Sequence, residues 1–154
     1  MLEWLSNSAL AGALTTYPTL YILANAAHIL SIGLLIGAIL PLDLRIIGLF
    51  RGARLSVLGP FLSHSAMVGV IMAILSGAVI FTVNANEYAA NPAFLTKLGL
   101  LLAGIGNAVI LRANPAWHRA LDDEEPRPSI KIAAGLSILI WVAAIIAGRW
   151  IGFV

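Results

Sequence analysis

Four uninterrupted apolar runs, residues 19–40, 59–83, 94–113 and 129–149, constrain this chain more than any other feature. Each has the length an α-helix needs to cross a bilayer, about 20 residues. The runs are continuous rather than alternating, which excludes a membrane β-barrel. Only 10% of the 154 residues are charged, and the mean hydropathy is +0.97. A soluble domain carries roughly 25% charged residues, so this chain has too few to coat a water-facing surface. The sequence therefore predicts one all-α domain over residues 1–154: an integral membrane, antiparallel four-helix bundle in a lipid bilayer.

Helix breakers separate the runs. Tyr17-Pro18 opens the first, Gly59-Pro60 the second, Asn91-Pro92 the third and "PRPS" (126–129) the fourth, as proline and polar N-terminal signals do. The first run could continue to about residue 50, with Pro41 expected to kink the helix or end its regular part. Leu2, Leu5, Ala9 and Ala13 recur near helical spacing opposite Ser6, Asn7 and Ser8, which suggests a short N-terminal helix lying on the membrane surface. Glu3 and the lack of an N-terminal positive cluster argue against a signal peptide, so this stretch is read as part of the mature protein.

Basic residues set the expected orientation. Arg45, Arg51 and Arg54 flank the first connection, and Arg112, Arg119, Arg127 and Lys131 the third. Lys97 and Arg149 stand at the opposite ends. The positive-inside rule then puts both basic loops in the cytoplasm and both termini in the periplasm of a bacterial inner membrane. The acidic run "DDEE" (122–125) does not alter this, since acids weigh little in the rule.

Small residues recur along the spans: Ser65, Gly69, Ala73 and Gly77 on the second, Gly33 and Gly37 on the first, Gly99, Ala103 and Gly106 on the third. Such stripes let membrane helices approach closely. Tight packing is the simpler expectation; the sharper one is that some of the missing side-chain volume houses a flat ligand.

His28 is the one titratable side chain in the run 20–40. It lies nine residues into the first span, about 13 Å deep at the α-helical rise. The same depth on the other spans falls near Ala73–Leu75, near Ala103 and Gly104, and near Ile140 and Trp141, and Ser31 and Ser76 lie near His28. Intramembrane polar groups face the interior or a cavity and mark functional sites. Three roles are open to His28: a structural hydrogen bond to a neighbouring helix, axial ligation of a b-type haem, or a proton, quinone or metal-ion site. His64, the obvious second metal ligand, lies roughly 12–15 Å away in depth. The two imidazoles therefore cannot easily share one iron within a chain. A hydrogen bond from His64 to Asn107 is a simpler expectation, and a haem between His64 and His118 a remote one.

Other polar groups add weaker expectations. His64, Met67 and Met72 offer soft donors for copper. Asp43 and Arg45 point to different faces; Asp43 could take up a proton or pair with an arginine of the third connection. Lys97 and Arg149 could form a cationic mouth for a propionate, a headgroup or a quinone carbonyl. Trp4, Trp117 and Trp150 fall at interface positions, as belt tryptophans do, whereas Trp141 is expected at the His28 level. The absence of cysteine excludes disulfides, iron–sulfur clusters and thiolate metal sites. No nucleophile–base pair or phosphate-binding glycine loop appears, and no basic stripe suggests nucleic acid. The chain is not expected to be an enzyme by itself.

The segments "HILSIGLLIGAILPLDLRIIGLF" (28–50), "NPAFLTKLGLLLAGIGNAVI" (91–110) and "IWVAAIIAGRWIGF" (140–153) together resemble a family of small, uncharacterised bacterial four-span inner-membrane proteins. More distantly, the layout is similar to the membrane domains of copper-resistance D proteins and to b-type cytochrome four-helix bundles. The close resemblance implies fold and location; the distant one implies haem or copper. Taken together, the expected cofactor is haem b, with His28 as axial ligand and Trp141, Ser76, Gly77, Ala103, Gly104, Lys97 and Arg149 around it. His28 and His64 are the candidate metal ligands. Quinone, a second copy of the chain or a membrane partner subunit are the candidate partners. The alternatives are a non-catalytic assembly subunit and a small-ion or copper transporter.

Overall fold

The computed structural model describes residues 2–49, 52, 54–122 and 125–153. Arg51 and part of the acidic run 122–125 lie outside the described residues. Helices α1 (Glu3–Ser6) and α2 (Ala9–Thr16) precede the spans α3 (Pro18–Ile47) and α4 (Leu55–Phe81). A 3₁₀ turn leads to α5 (Ala85–Ala90), followed by the span α6 (Pro92–Ala113), a short α7 (Pro115–Leu121) and the span α8 (Pro128–Trp150). By length and composition, four helical stretches are long and apolar enough to cross a membrane. The expected all-α bundle is present.

The boundaries follow local chemistry. Asn91 caps α6: its Oδ1 accepts from the Ala93 and Phe94 N–H groups at 2.9 and 3.1 Å, with Pro92 at the first helical position. Asn114 and Pro115 repeat the device for α7, where Asn114 Oδ1 accepts from Ala116 N at 2.9 Å. Gly48 ends α3 with φ 109°, a left-handed conformation that an added Cβ would strain. Pro41 lies inside the first span, which takes the longer of its expected extents and continues to Ile47. One expectation is corrected: Pro60 does not begin the second span, which starts at Leu55. The N-terminal surface helix is in fact two helices, because Ser8 caps a new one by accepting from Ala11 N at 3.2 Å.

α3 packs on α4 and α8, and α8 packs on α6, while α4 and α6 are joined by α7 at one end and through α5 at the other. The tightest crossing is α3 on α4. A Cβ built on Gly69 would stand 2.6 Å from the Leu35 backbone nitrogen, so only glycine permits this approach. The mid-bundle core consists of Leu35, Ala38, Ile39, Ala66 and Trp141. A second core, toward the basic loops, gathers Leu42, Ile46, Leu55, Leu111, Trp117 and Ile130 with small neighbours.

Packing is uneven along the bundle axis. None of the span residues 18–30, 74–81, 92–103 or 145–150 is fully buried. The buried core of the spans therefore stops near Ser31, Ala73, Gly104 and Ala144; beyond it, at the end of the bundle that carries His28, α1 and α2 pack on the 3₁₀ turn and α5, burying Ala11, Leu14, Thr82 and Ala85.

The small-residue stripes divide in the same way. Gly69, Gly77 and Gly104 face neighbours within the chain, whereas at Gly33, Gly37, Gly99 and Gly106 an added Cβ would find no atom of another residue within 4 Å. The Gly33/Gly37 pair on α3 is exposed. It does not hold the bundle together.

Candidate functional site

His28 stands half-buried on α3 and meets α4 at the depth the sequence predicts. Its Nδ1 lies 3.0 Å from Ser76 Oγ. A Cβ on Gly77 would fall 3.1 Å from His28 Cε1, so the ring rests against bare α4 backbone. Ser76 Oγ in turn donates to the Met72 carbonyl at 2.7 Å. A hydroxyl has one proton to give. With that proton committed to Met72, Oγ accepts from the imidazole, and Nδ1 carries the hydrogen. The Ala73 carbonyl also lies within reach of the ring. With the hydrogen on Nδ1, Nε2 is the lone-pair nitrogen. This is the tautomer a metal-binding histidine uses, held by a fixed Nδ1–H contact behind it.

Lys97 reaches the same region from α6. Its chain lies across Gly148 of α8, whose added Cβ would stand 3.3 to 3.4 Å from the lysine Cδ, Cε and Nζ. Its charge is close enough to act on His28, and no hydrogen bond or ion pair engages its ammonium among the described residues. Above it, Phe81 and Phe94 stack at 5.3 Å between ring centres, with Tyr88 within 6.1 Å of both. This end of the bundle thus combines a hydrogen-bonded imidazole, an ammonium without a partner among the described residues and an aromatic cluster.

Other expected members stand elsewhere. Trp141 packs with Leu35, Ala38, Ile39 and Ala66 and against Gly104, about 10 Å deeper than His28 by helical rise. The expected shared level is therefore wrong by two turns. Ala103 is exposed, because Gly104, its neighbour, takes the inward face of α6. Arg149 is also exposed: its guanidinium sits 4.9 Å from the Phe153 ring centre, on an outer face with Ile145, Ile146 and Trp150. It does not join Lys97 in a cationic mouth.

His64 is exposed on α4, twelve residues and about 18 Å from Ser76, and is not brought to His28. Asn107 donates to the Ala133 carbonyl at 3.0 Å instead of meeting His64. Met67 and Met72 are 40% and 48% exposed. No group of three His, Asp or Glu side chains suited to a metal ion occurs among the described residues. Trp117 is 4% exposed, so it is a core residue rather than a belt tryptophan; Trp4 and Trp150, at 69% and 59%, are exposed as expected. Sequence reasoning missed α7, which folds Trp117 inward. The second Asn-Pro pair (114–115) was its signal.

Four long apolar helices around a largely apolar core define the class: a multi-pass helical membrane protein. Within that class, the chain belongs to a family of unknown function, DUF6644, whose model matches residues 1–154. No curated protein and no solved structure matches it. The distant likeness to copper-resistance D proteins and b-type cytochromes gains no support from these comparisons.

Proposed function

We propose that this protein is a bacterial inner-membrane redox subunit that holds a b-type haem through His28, with both termini periplasmic and a quinone or a partner subunit exchanging electrons with it. One observation carries this: His28 Nδ1 lies 3.0 Å from Ser76 Oγ, whose own proton goes to the Met72 carbonyl, an arrangement that favours Nδ1–H and a lone pair on Nε2 for iron. The ammonium of Lys97, without a partner among the described residues, would suit a propionate. Bound haem would supply one-electron transfer. His28 would hold the iron, and any second protein ligand would come from a partner chain.

The test is the visible spectrum of protein purified from haem-replete cells. A Soret band that His28→Ala abolishes and Lys97→Gln weakens is the expected result. Colourless protein that also fails to take up haemin would end the proposal.

A second reading, an assembly subunit, rests on the exposed Gly33/Gly37 pair, which leaves α3 backbone open to another helix. In that case Gly33→Leu with Gly37→Leu should break a complex that His28→Ala leaves intact; an unchanged complex would remove this reading.

A further inference from the structure

A second polar site lies at the other end of the bundle, fifteen residues along α3 from His28. Asp43 is 1% exposed, and its Oδ2 has no hydrogen-bond partner among the described residues. The carboxyl does touch the Ser137 hydroxyl of α8. It lines a cavity of about 20 Å³ together with Ser63 of α4, Asn107 and Arg112 of α6, Trp117 of α7 and Ser137. Arg112 is the one cation on that wall. Its guanidinium donates to the Ser63 carbonyl at 2.8 Å, and it forms no ion pair with Asp43. Arg119 on α7 also buries an unpartnered Nε nearby in the chain.

Three facts bear on the state of this carboxyl. A bare carboxylate without a counter-charge is among the costliest groups to bury. A cavity of this volume, walled by polar groups, is large enough for one water. An arginine stands within the same cavity without being paired to the acid.

We propose that the Asp43 cavity is a proton-exchange site, in which one water links Asp43 Oδ2 to Asn107 and Arg112. In the packed form Oδ2 carries the proton and donates it to the water. On release, the O–H bond breaks, the proton leaves through the water, and the electron pair stays on Oδ2. The resulting carboxylate draws Arg112 from the Ser63 carbonyl into an ion pair. Uptake reverses each step. Ser137 holds the other oxygen throughout, and the site needs no cofactor at His28.

The experiment is infrared difference spectroscopy of the whole protein in lipid across pH. A carboxylic-acid C=O band should appear on acidification, shift in D2O and vanish in Asp43→Asn. Should Asp43→Asn fail to fold, aspartate carrying ¹³C in the side-chain carboxyl gives the same answer in the wild type, because Asp43 is the one aspartate within a span; the other two, Asp122 and Asp123, lie in the third connection. Arg112→Gln, which removes the cation that receives the anion, should carry the band to higher pH. Absence of any label-sensitive carboxyl band, or an Arg112→Gln titration identical to wild type, would overturn the proposal.

Discussion

Gly69 of α4 lies so close to Leu35 of α3 that a methyl group on it would sit 2.6 Å from the Leu35 nitrogen and 2.8 Å from its Cα. Both obstacles are backbone, so no rotamer change relieves the clash. Gly69→Ala must push the two helices apart, at a cost of about 1–3 kcal/mol. Gly33→Ala and Gly37→Ala, where nothing stands within 4 Å, should leave stability unchanged or slightly raised. Thermal unfolding in detergent separates the two sets.

Gly104 meets a side chain rather than backbone, and the outcome should differ. An added Cβ would stand 2.8 Å from Trp141 Cζ2. Gly104→Ala should destabilise, and Trp141→Phe should recover part of that loss in the double variant, giving a coupling on the order of 1 kcal/mol. Additive effects would show that the two residues do not share space.

Ser76 fixes the tautomer of His28. Nitrogen NMR on histidine-labelled protein should show protonated Nδ1 and bare Nε2 in the neutral ring. In Ser76→Ala the population should move toward the other tautomer. A wild-type ring with Nε2 protonated would contradict the hydrogen-bond directions, whatever the ligand.

Trp117 fills the core at the basic-loop end, and Trp117→Ala should cost about 3–5 kcal/mol, the range for emptying a large aromatic from a packed site. Trp4→Ala and Trp150→Ala, both on exposed positions, should have small effects in detergent. Chemical melts of the three variants provide the comparison.

The spans were legible because hydropathy and the Asn-Pro breakers act locally: Asn91-Pro92 fixed the start of α6 to within two residues. Which face of each span turns inward was much less so. Lipid and core are both apolar, so the pattern that marks a buried stripe in water is faint here. Gly33 and Gly69 carry the same sequence signal, yet one faces outward and the other an adjoining backbone. Depth counting paired His28 with Ser76 correctly, since both depend on simple rise from a span end. It failed for Trp141 because it assumes that all spans end at one level, whereas α8 runs on through Trp150 into the turn Ile151–Phe153.

The inward fold of α7 has a consequence for how the interior communicates with its surroundings. Ala116, Trp117 and Ala120 act as a cork of protein beneath Asp43. At this stoppered pole, traffic is restricted to species as small as water or a proton.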